Sequence, residues 1–514
     1  MSAGRLYRGV FTVGGWTMAS RVLGFIRDMV IAAALGAGPV AEAFLIAFSL
    51  PNMFRRFFAE GAFNMAFVPM FSKRVEAGEG AHEFARDAFT GLATILIFFT
   101  ALAQIFMPWL VLAMAAGFRG DERFDLAVLY GRIAFPYILF ISLAALLSGV
   151  LNAVGRFAAA AAAPVLLNVI FITTLGAASF AGWDLGLTLA WSVPVAGIAQ
   201  MALVWVAASR AGYRLIPRLP RMTPELKRLA IIAAPAALSG GVLQVNLLVG
   251  RQVASATEGA VAWINYADRI YQLPLGVVGI AIGVVLLPEL SRRLKAEDHA
   301  GSREAMSRAG EMAMALTLPA AAACIAVAMP LVAGLFQRGA FGPDETAHTA
   351  LALQIYAWGL PAFVLFKVLQ PAYYARENTK TPFYFALMSM VVNAVFAIGL
   401  MPYLGYIAAP IGTTISIWAM VVGLWIGTYR MGETTRFDRR FWSRIWRILI
   451  ASWAMGVFVW VLSFPLQSFF AAGGLWKGGA LAVLIVAGCA FYYAAGHLLG
   501  AFTLRELKAA MKRG

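Results

Sequence analysis

The stretch GGWTMASRVLGFIRDMVIAAALGAG (14–38) places three charged side chains inside a run that is apolar enough to cross a bilayer. A charge at the centre of a membrane helix costs about 2.5–3.5 kcal/mol on insertion scales. The charges, Arg21, Arg27 and Asp28, also interrupt the apolar core that a cleavable signal peptide requires. The stretch therefore predicts a first membrane helix whose charges either serve a function or pair with other helices.

The whole chain has the composition of an integral membrane protein. Its 514 residues are 61% hydrophobic and 13% charged, with a mean hydropathy of +0.78, whereas soluble domains are about 25% charged. Apolar runs long enough to cross a hydrocarbon core of about 30 Å as helices recur along the chain. The predicted fold class is an all-α polytopic membrane protein with about fourteen transmembrane helices. The predicted spans are 6–35, 41–71, 87–116, 125–150, 158–180, 185–208, 226–253, 260–289, 305–335, 346–373, 382–402, 406–429, 445–466 and 475–499.

Basic residues alternate between the predicted loops. Segments on one side hold 29 of the 41 basic residues, and those on the other side hold four: Arg119, Arg123, Arg338 and Lys477. Because cytoplasmic loops collect Lys and Arg, this asymmetry predicts that both termini are cytoplasmic. It also accounts for the net charge of +16 without a nucleic-acid partner.

Two pairs of short segments indicate an internal repeat. FVPMFSKRVEAGE (67–79) aligns with LLPELSRRLKAED (286–298), and NAVGRF (152–157) aligns with YARENT (374–379) at nearly the same offset. An even number of helices per repeat gives both halves the same orientation, an arrangement found in transporters that rock one bundle against the other. The predicted domains are an N-terminal lobe over 1–223, a C-terminal lobe over 224–431, and two additional helices with a cytoplasmic tail over 432–514.

The predicted helices contain more basic than acidic residues. Acids at similar depth are chiefly Asp28, Glu42, Glu60 and Asp268. Such an excess favours a water-filled central cavity between the lobes, and arginine, which binds phosphate bidentately and keeps its charge, favours a phosphate or pyrophosphate headgroup as the cargo. The embedded basic residues are Arg21, Arg27, Arg55, Arg56, Arg132, Arg251, Arg269 and Lys367.

A structural alternative exists for individual embedded charges. Neighbours on a helix point about 100° apart, so Arg27 with Asp28, and Asp268 with Arg269, are expected to need partners on other helices or water. Salt-bridge struts or snorkelling to headgroups are the alternative, which suits Arg132, Arg251 and Lys367 best. Glu60 and Asp268 are candidates for gating, with static pairing as the alternative.

Motifs for other chemistry are missing from the sequence. No GxxxxGK[ST] loop occurs, so the chain is predicted to be a transporter that does not hydrolyse nucleotides. Four scattered histidines and two cysteines predict neither a metal site nor a cofactor.

Four motifs carry a family resemblance: SRVLGFIRD (20–28), EAFLIAFSLPNMFRRFFAEGAFNMAFVP (42–69), YADRIYQLPLGVVGIAIGVVLLPELS (266–291) and YYARENTKTP (373–382). With these the chain resembles the MurJ/MviN family of lipid II flippases, in the multidrug/oligosaccharidyl-lipid/polysaccharide exporter superfamily. The resemblance implies a bacterial inner-membrane carrier, required for cell-wall synthesis, that moves lipid II from the cytoplasmic to the outer leaflet by alternating access. The implied partners are lipid II (undecaprenyl-pyrophosphate-linked disaccharide-pentapeptide), membrane lipids and the cell-wall synthesis machinery.

The resemblance also implies roles for particular residues. Substrate binding falls on Arg21, Arg27, Arg55 and Arg269, with Ser20, Glu60 and Asp268 close by. From their place among the embedded charges, Asp28, Glu42, Glu60 and Asp268, together with Ser20, are the candidate gating residues or charge partners. A sodium site of some members would involve Asn246, Asn393 and Thr413, but Ala397 stands where a carboxylate is expected. Sodium coupling is therefore not implied, and membrane potential or protons remain open as the energy source.

Two other functions remain open at this stage. One is a flippase or exporter of another lipid-linked oligosaccharide, or a drug exporter, of the same superfamily. A cation exporter would need a cavity rich in acids, so the arginines weigh against it. The other is a membrane scaffold for cell-wall assembly, which predicts that the embedded charges are dispensable.

Overall fold

The computed structural model describes residues 3–55, 62–432 and 435–502, with side chains omitted at 3–11, 62–63, 65, 234–246, 277–285 and 475. Over these ranges the regular structure is helical, without strands. The helices are α1 (Ala3–Leu35), α2 (Pro39–Arg55), α3 (Ala62–Ala77), α4 (Ala81–Met114), α5 (Glu122–Ala134), α6 (Tyr137–Ala153), α7 (Ala158–Ala181), α8 (Leu185–Arg210), α9 (Pro224–Ser255), α10 (Ala260–Lys295), α11 (His299–Ala326), α12 (Ala328–Leu335), α13 (Pro343–Tyr374), α14 (Lys380–Leu404), α15 (Ala408–Tyr429), α16 (Arg439–Ala472) and α17 (Gly474–Leu498).

The predicted fold class, an all-α polytopic membrane protein, is confirmed. In the described part of the chain, nine segments are long and apolar enough to span a membrane. One of these segments contains both α14 and α15, and another contains both α5 and α6. The helices α1, α2, α9 and α10, which carry arginines that the sequence predicts to be embedded, are not among the nine. Taken in order, the helices are consistent with the fourteen predicted spans, whose number stays a prediction.

Side-chain caps begin several of these helices. The carboxylate of Asp121 accepts from the backbone N–H of Arg123 at the start of α5, and Asp184 caps α8 in the same way. Thr223 caps α9 and Asp438 caps α16. Each cap satisfies a backbone N–H that the first turn of a helix leaves without a partner, so the helix starts follow directly from the sequence.

Prolines inside the predicted spans do not all interrupt the helix. The eighth span contains Pro274, and α10 continues through it. A proline removes one ladder bond, and neighbouring helices can support the ladder on either side of that bond. The fourth span instead divides at Phe135–Pro136, between α5 and α6, and the ninth divides at Val327, between α11 and α12.

Packing divides the chain into two compact units. The first contains Met1–Ala262 and Arg338–Phe341, and the second contains Trp263–Gln337 and Gly342–Gly514. In the first unit, α1 packs on α7, α2 on α5, and α6 and α7 on α8. The helix α9 joins this unit because it packs on α3 and α4.

The ends of α4 and α9 are locked together within the first unit. The Gln252 amide donates to the carbonyls of Leu112 and Ala113 and accepts from the N–H of Ala116. Gly117 lies so close to the α9 backbone at Ser255 that a Cβ there would overlap it. The close approach of the two helix ends therefore requires glycine at this position.

The second unit has its own apolar core. It forms where α11, α13 and α15 pack together, and α16 adds Phe441 to it. The pair α16 and α17 packs beside α11 and α12. The domain boundaries at 223/224 and 431/432, which describe the internal repeat, stay a prediction.

Candidate functional site

The buried guanidinium of Arg27 is the centre of the candidate site in the first unit. Its Nε and Nη2 donate to Asp28 Oδ1 at 3.0 and 2.7 Å, and its Nη1 donates to Asn168 Oδ1 at 3.1 Å. Arg27 is only 8% exposed, and Asn168 is 4% exposed. The three groups form a compact polar network inside an apolar bundle. Burying a charge there without a partner would destabilise the fold by roughly several kcal/mol.

This pairing corrects one sequence-based expectation. Arg27 and Asp28 were expected to find partners elsewhere because adjacent helical residues diverge, yet they pair with each other. An arginine side chain is long and has several rotatable bonds, so its fork can turn back to a neighbouring carboxylate. Arg27 does have a partner on another helix as well, as expected, because it bonds Asn168 on α7.

Asn168 also connects α7 to α1 at a second point. It lies opposite Gly24, where an added Cβ would make an ordinary van der Waals contact with it. The Asn168 amide Nδ2 also donates to the carbonyl oxygen of Ser20 at 3.0 Å. One amide thus orients the Arg27 fork and ties α7 to α1 about two turns before Arg27.

Two aromatic rings line the other side of the guanidinium. The Cζ atom of Arg27 lies 5.7 Å from the ring centre of Phe171 and 6.0 Å from that of Phe48. These two rings contact each other at 5.5 Å between centres. Aromatic faces attract a cation by about 0.5–2 kcal/mol, so the cation is held from both the polar and the apolar side.

Arg21 lies on the same helix in a different environment. It is exposed, whereas Ser20 beside it is half-buried. Arg21 therefore presents a charge at the surface of the first unit, while Arg27 is enclosed.

Glu42 belongs to a separate buried network. It is fully buried, and its Oε2 accepts from Arg123 Nη1 at 3.0 Å while its Oε1 accepts from the N–H of Val261 at 2.9 Å. Arg123 also donates its Nε to Asp121 Oδ2 at 2.6 Å and lies over the ring of Phe118. This network ties the first turn of α2 to the starts of α5 and α10.

The remaining charges on the second span are only partly described. Arg55 is the last described residue of α2 and is half-buried. The helix continues through Pro51 to reach it. Arg56 and Glu60 lie outside the described residues.

Asp268 and Arg269 lie in the second unit, on α10. Both are half-buried, and Asp268 accepts a hydrogen bond from the Gln272 amide one turn later. The structure therefore gives Asp268 a polar neighbour on its own helix. Arg269 and the first-unit arginines belong to different units.

Three of the four residues that the resemblance relates to a sodium site, Asn393, Ala397 and Thr413, lie in the second unit. Asn393 and Ala397 are buried on α14, and the Thr413 hydroxyl donates to the carbonyl of Ala409 on its own helix. The side chain of Asn246 lies outside the described part of the structure. In the searched part of the chain, no group of three or more His, Cys, Asp or Glu residues could hold a metal ion.

Sequence reasoning missed two functional-site neighbours. Asn168, 141 residues after Arg27, was not singled out, although a lone amide in an apolar helix is itself a signal of interhelical bonding. Arg123 was placed among the outside-loop residues but lies in the first turn of α5 as the partner of Glu42.

Comparisons with known proteins agree with this architecture. The family model described as lipid II flippase MurJ matches residues 31–477. A protein of Rhizobium meliloti strain 1021, named probable lipid II flippase MurJ, is 45% identical, and the match covers 98% of this chain and 96% of that protein. A relative in Rhizobium tropici with the same name is 42% identical over 99% of this chain and 97% of its own length.

A solved structure has the same fold. The structure titled lipid II flippase MurJ, inward closed conformation, superposes with a TM-score of 0.79 at 23% identity, covering 95% of this chain and 98% of that one. At this identity the likeness shows the fold, while the family model and the relatives show the family. This chain belongs to the lipid II flippase MurJ family.

Proposed function

We propose that this chain translocates lipid II from the cytoplasmic to the outer leaflet of the bacterial inner membrane by alternating access, without hydrolysing nucleotides. The observation that carries the proposal is a permanently charged guanidinium enclosed in an apolar bundle, in a chain 45% identical to a protein named probable lipid II flippase. A bundle that needed only stability would be served as well by apolar side chains, since replacing a buried ion pair by packed hydrophobic residues is often neutral or stabilising.

The arginines supply the binding chemistry in this proposal. Arg21, Arg27, Arg55 and Arg269, the arginines that the sequence singles out, bind the pyrophosphate of lipid II. An arginine fork matches two phosphate oxygens and cannot lose its charge, so it suits a diphosphate better than lysine does. Arg21, being exposed, makes contact first, and Arg27 follows by exchanging its Asp28 partner for the substrate.

The acidic residues and Ser20 act as charge partners. Asp28 holds the Arg27 fork while no substrate is bound, and the Ser20 carbonyl fixes the Asn168 amide that orients it. Glu42, fully buried and bonded to two groups, is a static tie. Glu60 and Asp268 exchange partners during the cycle.

The organisation of the chain follows from the sequence. The lobes over 1–223 and 224–431 move during transport, the segment 432–514 adds two helices and a tail, and both termini are cytoplasmic. Membrane lipids and the cell-wall synthesis machinery are partners, and nucleic acid is not. The support for this arrangement is the alternation of basic loops and the internal repeat.

The test is complementation of a bacterium depleted of its own lipid II flippase. The wild-type chain is expected to restore growth, and Arg27→Ala and Arg269→Ala are expected to fail at equal membrane abundance. Arg132→Ala is the matched control, because Arg132 also lies in an apolar helix but bonds a backbone carbonyl of α4. It is expected to rescue growth.

Equal rescue by all three variants would refute a role for the embedded charges and would favour a scaffold. Failure of correctly inserted wild type would favour another lipid-linked cargo.

A further inference from the structure

Lys367 is a cation within a predicted membrane span that the proposed substrate site does not use. It lies on α13, inside the predicted span 346–373, and it is half-buried. A charge inside such a span is costly unless a partner or water compensates it. The side chain therefore serves either the packing of the helices or a site.

The described residues around Lys367 include no counterion. No carboxylate among them pairs with its ammonium, which lies 5.3 Å from the ring centre of Phe366. The stretch of α10 whose side chains are omitted, VVGIAIGVV (277–285), contains no acid. A salt-bridge strut, the structural alternative raised for this lysine, is thus not formed within the described ranges.

Ring contacts show which way this face of α13 points. Tyr271 on α10 packs on Tyr356 at 5.4 Å and on Phe363 at 6.4 Å between ring centres. At 100° per residue, Tyr356, Phe363 and Lys367 lie within about 40° of one another around the helix. Lys367 therefore extends the stripe of α13 that faces α10, the helix that carries Arg269.

The same stripe becomes polar toward the end of α13. The Gln370 amide donates to the Tyr374 hydroxyl at 2.7 Å, and Tyr374 is 38% exposed. These residues follow Lys367 by three and seven positions, so they share its face of the helix. Polar side chains at this end of the stripe favour water and a polar ligand over lipid tails.

Two contacts fix the register between α10 and α13. Trp263 stacks on His348 at 4.0 Å, and farther along both helices Tyr271 packs on Tyr356. The two residues of each pair are separated by the same 85 positions in the sequence. The two helices therefore run in the same direction and stay in step over this length.

The distance along the helices decides which group of the cargo Lys367 can meet. In this register Lys367 lies thirteen residues beyond the level of Arg269, which is about 20 Å at a rise of 1.5 Å per residue. A diphosphate, whose two phosphorus atoms share one bridging oxygen, is too small to contact both cations. Five extended residues reach about 17 Å, so a pentapeptide joined through a sugar to a diphosphate at Arg269 can bring a carboxylate to Lys367.

We propose that Lys367 binds a carboxylate of the cargo's pentapeptide, and that this contact selects lipid-linked glycans that carry an acidic peptide. An ammonium is a compact point charge that suits a single carboxylate, whereas the arginine forks suit the pyrophosphate. The inference rests on the proposed function, because it takes lipid II as the cargo and Arg269 as a ligand of its pyrophosphate.

The test measures the binding of two lipids to the full-length protein in neutral detergent by native mass spectrometry. One is lipid II, and the other is lipid II whose peptide carboxylates have been converted to amides. The wild type is expected to bind the amidated lipid about tenfold more weakly, which corresponds to about 1.4 kcal/mol. Lys367→Met is expected to bind lipid II about tenfold more weakly than the wild type does, and to bind the amidated lipid as well as the wild type does.

Further variants separate this role from a general loss of charge or of packing. Lys367→Arg keeps the charge and is expected to bind lipid II more tightly than Lys367→Met does. Lys380→Met removes an exposed lysine at the start of α14 and is expected to change neither affinity by more than about twofold. Arg269→Ala is expected to weaken the binding of both lipids by the same factor, since the pyrophosphate is common to them.

Protein stability provides a second readout. Methionine has the unbranched shape of lysine without its charge, so Lys367→Met is expected to unfold in sodium dodecyl sulfate at no lower detergent fraction than the wild type. A lysine that served only the packing would change stability and would leave the discrimination between the two lipids intact.

The outcomes distinguish this inference from the proposed function. If the wild type binds lipid II and Lys367→Met binds it equally well, the inference is overturned while the proposed function stands. Equal weakening of both lipids by Lys367→Met would assign the lysine to the pyrophosphate and overturn the peptide contact. If the folded wild type binds neither lipid, the proposed function is overturned and the inference with it.

Discussion

Removing the Glu42 carboxylate should destabilise the first unit by about 3 kcal/mol. Glu42 is fully buried, and it accepts from Arg123 and from the N–H of Val261. Removing one member of a buried ion pair costs about 3–5 kcal/mol because the other charge stays buried. Asp121 still bonds Arg123 in the Glu42→Ala variant, which places the expected loss at the lower end of that range.

A double-mutant cycle measures this coupling. The free energy of unfolding is determined in mixed micelles with increasing sodium dodecyl sulfate for wild type, Glu42→Ala, Arg123→Ala and the double variant. The double variant is expected to lose about 2 kcal/mol less than the sum of the single variants, because no orphan charge remains. The control is Glu122→Ala, an exposed acid beside Arg123, with an expected change within about 0.5 kcal/mol.

If the double variant loses as much unfolding free energy as the two single variants together, the reasoning is refuted, because the two side chains then do not interact. The same conclusion would follow if Glu42→Ala destabilised the protein no more than Glu122→Ala does.

Three further outcomes follow from the structure. Arg123 donates to Asp121 and holds the pKa of that carboxyl below its ordinary value. The stabilising contribution of Asp121 is therefore present above about pH 4 and is lost as the pH falls through the folded pKa of this carboxyl. Acid unfolding of the Asp121→Asn variant should lack this component. Gly117→Ala should lower the unfolding free energy by about 1–3 kcal/mol through overlap with α9, whereas Gly176→Ala, with open space around it, should not lower it. In a background without native cysteines, Arg21→Cys should react with a water-soluble thiol reagent; protection from both sides of the membrane would contradict an aqueous environment.

Much of the fold is predictable because the bilayer imposes a simple length rule. A helix must bury about 20 apolar residues to cross it, so runs such as 87–116 and 185–208 coincide with α4 and α8. Breaks within a span are harder to predict. Pro274 lies inside a continuous helix while Pro136 marks the start of a new one, because the surrounding packing decides whether a lost ladder bond is tolerated.

The candidate site was predictable in composition but only partly in its contacts. Arg27 stands out in the sequence because a charge in an apolar run is costly. Its pairing with Asp28 was mispredicted, since projection onto a helical wheel ignores the length of an arginine side chain. Its bond to Asn168 depends on how α1 packs on α7, which no local pattern encodes.

By itself the sequence determined the membrane class, the approximate positions of most helices and the family resemblance, and it predicted an excess of embedded cations. These properties follow from hydrophobicity and charge, which add up residue by residue along the chain. Only the tertiary structure decided that Glu42 pairs with Arg123, that α9 joins the first unit, and that Lys367 lies on the face of α13 that contacts α10. The reason is that ion pairs and helix contacts depend on distances of a few ångströms between residues far apart in the chain.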